Sequence, residues 1–159
     1  MFQTILTIAT VAAALGCGSI GGVFFAFSAF VMKALARLPA AQGIAAMQSI
    51  NVAVINPWFL SVFLGTAAAC IGLAISALSN WQEPGATFIL AGSLLYVAGT
   101  FGVTMACNVP LNDALAAMDA SSDDGAKLWR RYVSRWTAWN HVRTLAAFAA
   151  ALLLTMALV

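Results

Sequence analysis

Near the start of the last apolar stretch, Trp136, Asn140 and Arg143 fall at i, i+4 and i+7, which sets three side chains on one face of a helix. An amide and a guanidinium aligned in this way donate hydrogen bonds to a negative charge as it develops, and an indole beside them stacks on a planar molecule. His141 stands about 100° further round the same helix. Imidazole is the side chain that exchanges protons near neutral pH, so His141 is the candidate general base. Each residue also has a structural reading. Arg143 can snorkel to phosphate headgroups, and a lone histidine is more often a satisfied structural residue than a catalyst.

The other polar residues of apolar segments gather at the same level. Ser28 ends the first segment, Gln48, Asn51 and Asn56 lead into the second, and Asn108 and Asn112 end the third. Asn56-Pro57 reads as a helix start, with Asn as cap and Pro in the first turn; capping and ligand contact are compatible there. Asn108-Val-Pro110 predicts a helix end, because the residue before proline is pushed out of the helical region. Asn112-Asp113 then caps a short helix over 113–118. Phe24, Phe27, Phe30, Trp58 and Trp139 offer rings for stacking. The opposite end of the molecule carries only Thr4, Ser79, Asn80, Gln82 and Glu83, which fit a loop. A polar mouth over an apolar interior predicts a pocket for an apolar molecule with a few polar groups.

These residues must be positioned by helices in a lipid environment. The chain of 159 residues is 63% hydrophobic and 8% charged. Met1–Met32, Leu38–Gln82 and Pro84–Asn112 contain no charged residue, and each exceeds the ~18 residues that indicate a membrane span. Spans are expected over about 5–32, 57–78, 85–107 and 137–159, in one four-helix domain covering 1–159. Arg143 is the last charged residue, and the apolar stretch beyond it falls short of the ~20 residues a span needs. The fourth span therefore starts at or before Asn140, which carries Asn140, His141 and Arg143 into the outer part of one leaflet. Ionisable groups at that depth face a protein interior or a wet cavity. Before this span, Ser122 or Asp123 caps an interfacial amphipathic helix in which Trp129, Tyr132, Trp136 and Trp139 form an aromatic belt.

Lys33, Arg37, Lys127, Arg130, Arg131, Arg135 and Arg143 all fall on one side of this topology. The positive-inside rule makes that side cytoplasmic and puts both termini outside, in a bacterial inner membrane. The N-terminal apolar run is too long for a signal peptide and lacks a basic start. A net charge of +2 implies no nucleic-acid partner. Cys17, Cys70 and Cys107 lack metal or redox spacing and read as buried thiols. No metal site is expected, and for haem the only axial candidates besides His141 are Met32, Met105 and Cys107. Glycine-rich faces in the first and third spans permit close helix approach and a homo-oligomer.

The stretch Gly21–Met32, the Asn51…Asn56-Pro57 segment, Asn108-Val-Pro-Leu-Asn112 and W-x-x-Y-V-x-x-W-x-x-W-N-x-x-R over 129–143 together resemble the anthrone oxygenase-like family of small four-span membrane proteins. The resemblance covers essentially the whole chain. It implies Asn51, Asn56, Asn108, Asn112, Trp139, Asn140 and Arg143 as a shared polar set. It also implies an O₂-dependent, cofactor-independent monooxygenase acting on an anthrone or another hydrophobic substrate. On that reading His141 is the base, Arg143, Asn140 and Asn108 hold the oxyanion, and Phe27, Trp58 and Trp139 stack on the rings. The rival expectation is a non-catalytic bundle that binds a lipid, quinone or other hydrophobic small molecule, or a subunit of a membrane complex. A transporter fits poorly, since four short spans lack inverted repeats and broken helices.

Overall fold

The computed structural model describes residues 2–159, with side chains from Gln3 onward, and no strand occurs among the described residues. Helix α1 (Phe2–Ala26) continues through a π-helical turn, Phe27–Val31, into α2 (Met32–Leu35). Helices α3 (Ala40–Ala53) and α4 (Pro57–Ser79) come next. Then α5 (Ala86–Leu94) runs through π-helical turns at Leu95–Gly102 and Thr104–Asn108 into α6 (Val109–Ala116), and α7 (Asp123–Met156) completes the fold. Three of these continuous stretches are long and apolar enough to cross a membrane: Gln3–Leu35, Pro57–Ser79 and Ala86–Ala116. The expected fourth span is not among them. It forms the second part of α7, a single helix of 34 residues whose apolar character is diluted by Asn140, His141 and Arg143.

Three local expectations need correction. The segment before Asn56 holds a further helix, α3, which buries Gly43, Ile44 and Met47. Its small residues gave no clear apolar period. The predicted helix end at Asn108 is absent, and Val109 keeps helical angles of φ −59° and ψ −48°. Pro110 is accommodated because it sits in the first turn of α6, where the register changes from π to α and a missing N–H is tolerated. Asn112 therefore caps nothing and is free for other bonds. The interfacial helix and the fourth expected span form one rod, started by Ser122, whose hydroxyl accepts from the Gly125 N–H at 3.0 Å.

Helix α7 is the axis of the packing. Its C-terminal half joins Cys17, Ile20, Phe24, Phe63, Cys70 and Tyr96 in one apolar cluster through Ala150 and Leu154. Its N-terminal half joins Met32, Ile44, Met47 and Leu115 in a second cluster through Trp129, Tyr132 and Trp136. Small residues set the spacing between α7 and the Leu95–Gly102 turn. A Cβ on Gly99 would lie 2.7 Å from the Ala146 Cβ, and neither methyl has a torsion that relieves the contact. Gly99→Ala is thus expected to lower stability by about 1–3 kcal/mol through overpacking, read as a fall in melting temperature in detergent. Gly18→Ala, where nothing lies within 4 Å, is the matched control and should leave melting unchanged.

Candidate functional site

A cavity of about 680 Å³ lies between the end of α1, α3, the first turns of α4, the Thr104–Asn108 turn, α6 and α7. Its wall is mostly apolar and aromatic, with Phe24, Phe27, Phe59, Phe63 and Trp136 supplying rings. Phe59 and Phe63 sit at i and i+4 on α4 and stack at 5.7 Å between centroids. Arg143 lines this cavity although only 5% of it is exposed.

The guanidinium is held from three sides. Its Nε donates to Asn140 Oδ1 at 2.8 Å and its Nη1 to Thr104 Oγ1 at 3.4 Å. Its central carbon lies 3.8 Å from the Phe24 ring centroid and 4.7 Å from that of Trp136. Two of the five N–H donors a guanidinium carries are thereby engaged. Arg143 has no carboxylate partner: among the described residues the one ion pair joins Lys127 and Asp124 on the surface. The cation–π contacts offset part of the desolvation of a buried charge, by about 2 kcal/mol for a dry pair.

Asn140 fixes the other end of this arrangement. It is fully buried and does not line the cavity. Its Nδ2 donates to the Phe24 carbonyl at 2.7 Å and to Ser28 Oγ at 2.6 Å, so α7 is tied to α1 where the π-helical turn begins. Thr144 Oγ1 donates to the Asn140 carbonyl at 2.6 Å and lies 3.4 Å from Ser28 Oγ. From the opposite side, Thr100 Oγ1 donates to the Arg143 carbonyl at 3.2 Å and Thr104 Oγ1 to the Thr100 carbonyl at 2.7 Å. Both threonines belong to π-helical turns, which recur at functional sites.

A second polar group orients the Trp136 ring. Asn112 Oδ1 accepts from Trp136 Nε1 at 2.8 Å and from the Tyr132 hydroxyl at 2.9 Å, and Asn112 lines the cavity. Burial pushes the Tyr132 phenol up from its ordinary pKa, which keeps it a neutral donor here. Asn51 also lines the cavity, and its buried Nδ2 has no protein acceptor. Asn108 is buried behind the wall, donating from Nδ2 to the Trp136 carbonyl at 3.2 Å.

The expected site residues therefore separate into groups. Arg143, Asn51, Asn112, Trp136 and Phe27 line the cavity, while Asn140, Asn108 and Ser28 brace it from behind. Asn56 stands outside it as the α4 cap, its Oδ1 accepting from the Phe59 N–H at 3.0 Å. Trp58 (86% exposed), Trp139 (42%) and Phe30 (61%) point away from the cavity. His141 is exposed as well and does not line it, because 100° of rotation past the buried Asn140 carries the imidazole out of the core. Thr104, Phe59 and Phe63 are wall residues that sequence reasoning missed. Threonine in an apolar run carries no distinguishing signal, but the i, i+4 phenylalanines beside Asn56-Pro57 did.

The family model described as anthrone oxygenase matches residues 58–153. The chain belongs to the anthrone oxygenase family. The match begins in α4 and ends in α7, so it includes Thr104, Asn112, Asn140 and Arg143 and stops short of the α1 and α3 walls. No curated protein and no solved structure matches the chain. For a member of the anthrone oxygenase family, a cation set among aromatic rings and in no ion pair is the feature with chemical content.

Proposed function

We propose that this protein is a membrane-bound oxygenase that oxidises an anthrone-type polycyclic aromatic with O₂ and needs no cofactor. The observation that carries the reading is Arg143, a buried cation in no ion pair that faces an aromatic-walled cavity. An anthrone carries a ring methylene across from a carbonyl. Loss of a methylene proton gives a delocalised anion whose charge concentrates on that oxygen. Arg143 holds the oxyanion, Asn140 and Thr104 fix the guanidinium, and Phe24 and Trp136 flank the ring system. An electron-rich anion of this kind reduces O₂ directly. The apolar wall keeps water from the intermediate.

In this reading the second part of α7 crosses the bilayer as a fourth span, completing a four-helix bundle. The basic residues mark the cytoplasmic side, and both termini face out of a bacterial inner membrane. The cavity then opens near the cytoplasmic surface. Its rim includes Ile55 (70% exposed) and Met105 (50%), so an apolar substrate has a path from the lipid. That same rim favours a second reading, a non-catalytic binder of a quinone or lipid.

Oxygen uptake separates the two. Detergent-purified protein given emodin anthrone is expected to consume one O₂ per anthrone, well above the spontaneous rate. Uptake at the spontaneous rate, with the anthrone still bound, would leave the binder.

A further inference from the structure

We infer that Asp113, and not His141, accepts the proton the substrate methylene loses; the inference rests on the oxygenase reading. Among the residues lining the cavity, Asp113 is the only one with a carboxylate, a side chain that can accept a proton. The other ionisable lining residue is Arg143, which remains a cation. The two share one cavity yet form no ion pair, and among the described residues no protein group donates to the Asp113 carboxylate. Each therefore stays available to a ligand.

The placement suits the reaction. The carbon that loses a proton and the oxygen that gains charge lie at opposite edges of the central ring. A base and a cation that serve them come from different walls of the cavity here, Asp113 from α6 and Arg143 from α7. The α6 segment is well anchored. Gln48 on α3 donates from Nε2 to the Leu115 and Met118 carbonyls at 2.8 and 3.1 Å. Next to Asp113, Asn112 is held by Tyr132 and Trp136.

The chemistry balances. A methylene C–H bond breaks, its proton goes to an Asp113 carboxylate oxygen, and the electron pair delocalises onto the carbonyl oxygen opposite Arg143. The anion passes one electron to O₂, and recombination forms a C–O bond to a peroxide, which takes the proton back from Asp113. Asp113 then removes the remaining hydrogen of that carbon as a proton. Its electron pair forms the new C=O, the O–O bond breaks, and the departing hydroxide takes the proton from Asp113 as water. One anthrone and one O₂ give one anthraquinone and one water; the carbon is oxidised and O₂ is the oxidant.

The first step can be read without O₂. Under anaerobic conditions in D₂O, wild-type protein should exchange the emodin anthrone methylene with solvent well above the spontaneous rate, as read by mass spectrometry. Asp113→Asn should slow this exchange at least about 100-fold, the lower end of a general-base contribution, and slow O₂ uptake equally, with KM within about threefold. Undiminished binding of the product quinone by Asp113→Asn would show an intact cavity. His141→Gln should exchange at the wild-type rate. Exchange at the wild-type rate in Asp113→Asn would overturn the assignment while leaving the oxygenase standing. Wild-type exchange that Asp113→Asn abolishes, with no O₂ uptake, would support the base and defeat the oxygenase reading.

Discussion

Arg143→Gln is expected to lower anthrone-dependent O₂ uptake by about 10²–10³-fold, the range seen when one donor to a developing oxyanion is removed. Glutamine keeps a hydrogen-bonding head on a shorter side chain but removes the charge that Phe24 and Trp136 flank at 3.8 and 4.7 Å. Because the guanidinium meets full negative charge only after proton loss, the decrease belongs mainly in kcat. Arg143→Lys tests the geometry separately. It restores a cation, but an ammonium lacks the planar fork that bonds Asn140 and Thr104 while lying over a ring. Partial recovery is expected from lysine. Equal activity in all three proteins would mean that Arg143 serves the fold or the lipid headgroups, and that the oxyanion forms elsewhere.

Asn140→Leu is expected to produce the largest loss of stability. The two side chains are similar in size, so the change isolates hydrogen bonding. It removes the bonds at 2.7, 2.6 and 2.8 Å to the Phe24 carbonyl, Ser28 and Arg143 Nε. Three buried polar groups lose a partner at once, one of them charged. The bonds to Phe24 and Ser28 are interhelical, worth about 0.6–1.7 kcal/mol each in membrane proteins, and a stranded buried group costs about 1–3 kcal/mol. The expected total is about 2–4 kcal/mol, which should appear as a melting temperature lower by on the order of 5–15 °C. Turnover should fall too, since the guanidinium loses the anchor that sets its plane. Thr144→Val provides a milder comparison: it removes a bond within α7 to the Asn140 carbonyl and should cost under about 1 kcal/mol.

Much of this arrangement was legible in the residues. The spacing of Trp136, Asn140 and Arg143 fixed a shared helix face, and all three are buried on it. Helical periodicity also placed His141 off that face, yet its chemistry made it attractive as a base. Rotation carries the imidazole out of the core: His141 is exposed beside a fully buried Asn140 and does not line the cavity. Proline chemistry misled at Asn108-Val-Pro110, because a π-helical turn shifts the hydrogen-bond register where the missing N–H falls, and no local sequence rule announces such a turn. The α3 helix was hidden for a different reason. Alanines, glycine and polar residues give little periodicity, and tertiary contacts of Ile44 and Met47 with Trp129 and Tyr132 supply its order. Whether an asparagine caps or lines a cavity was equally open in the sequence. Asn56 is a cap, Asn112 holds an indole and a phenol, and Asn51 faces the cavity with its amide unpartnered. Those outcomes depend on which helices meet, which one chain read in order does not reveal.

The central claim is that the Arg143 cavity holds an anthrone as its anion, and an anaerobic spectrophotometric titration tests it most directly. Emodin anthrone and its conjugate base absorb at different wavelengths, and without O₂ the bound species persists. At a pH where the free molecule stays neutral, wild-type protein should develop the anion spectrum to a stoichiometry of one per chain. Arg143→Gln should bind the anthrone without that change. A neutral spectrum at saturation in wild-type protein, or an anion spectrum undiminished in Arg143→Gln, would contradict the account.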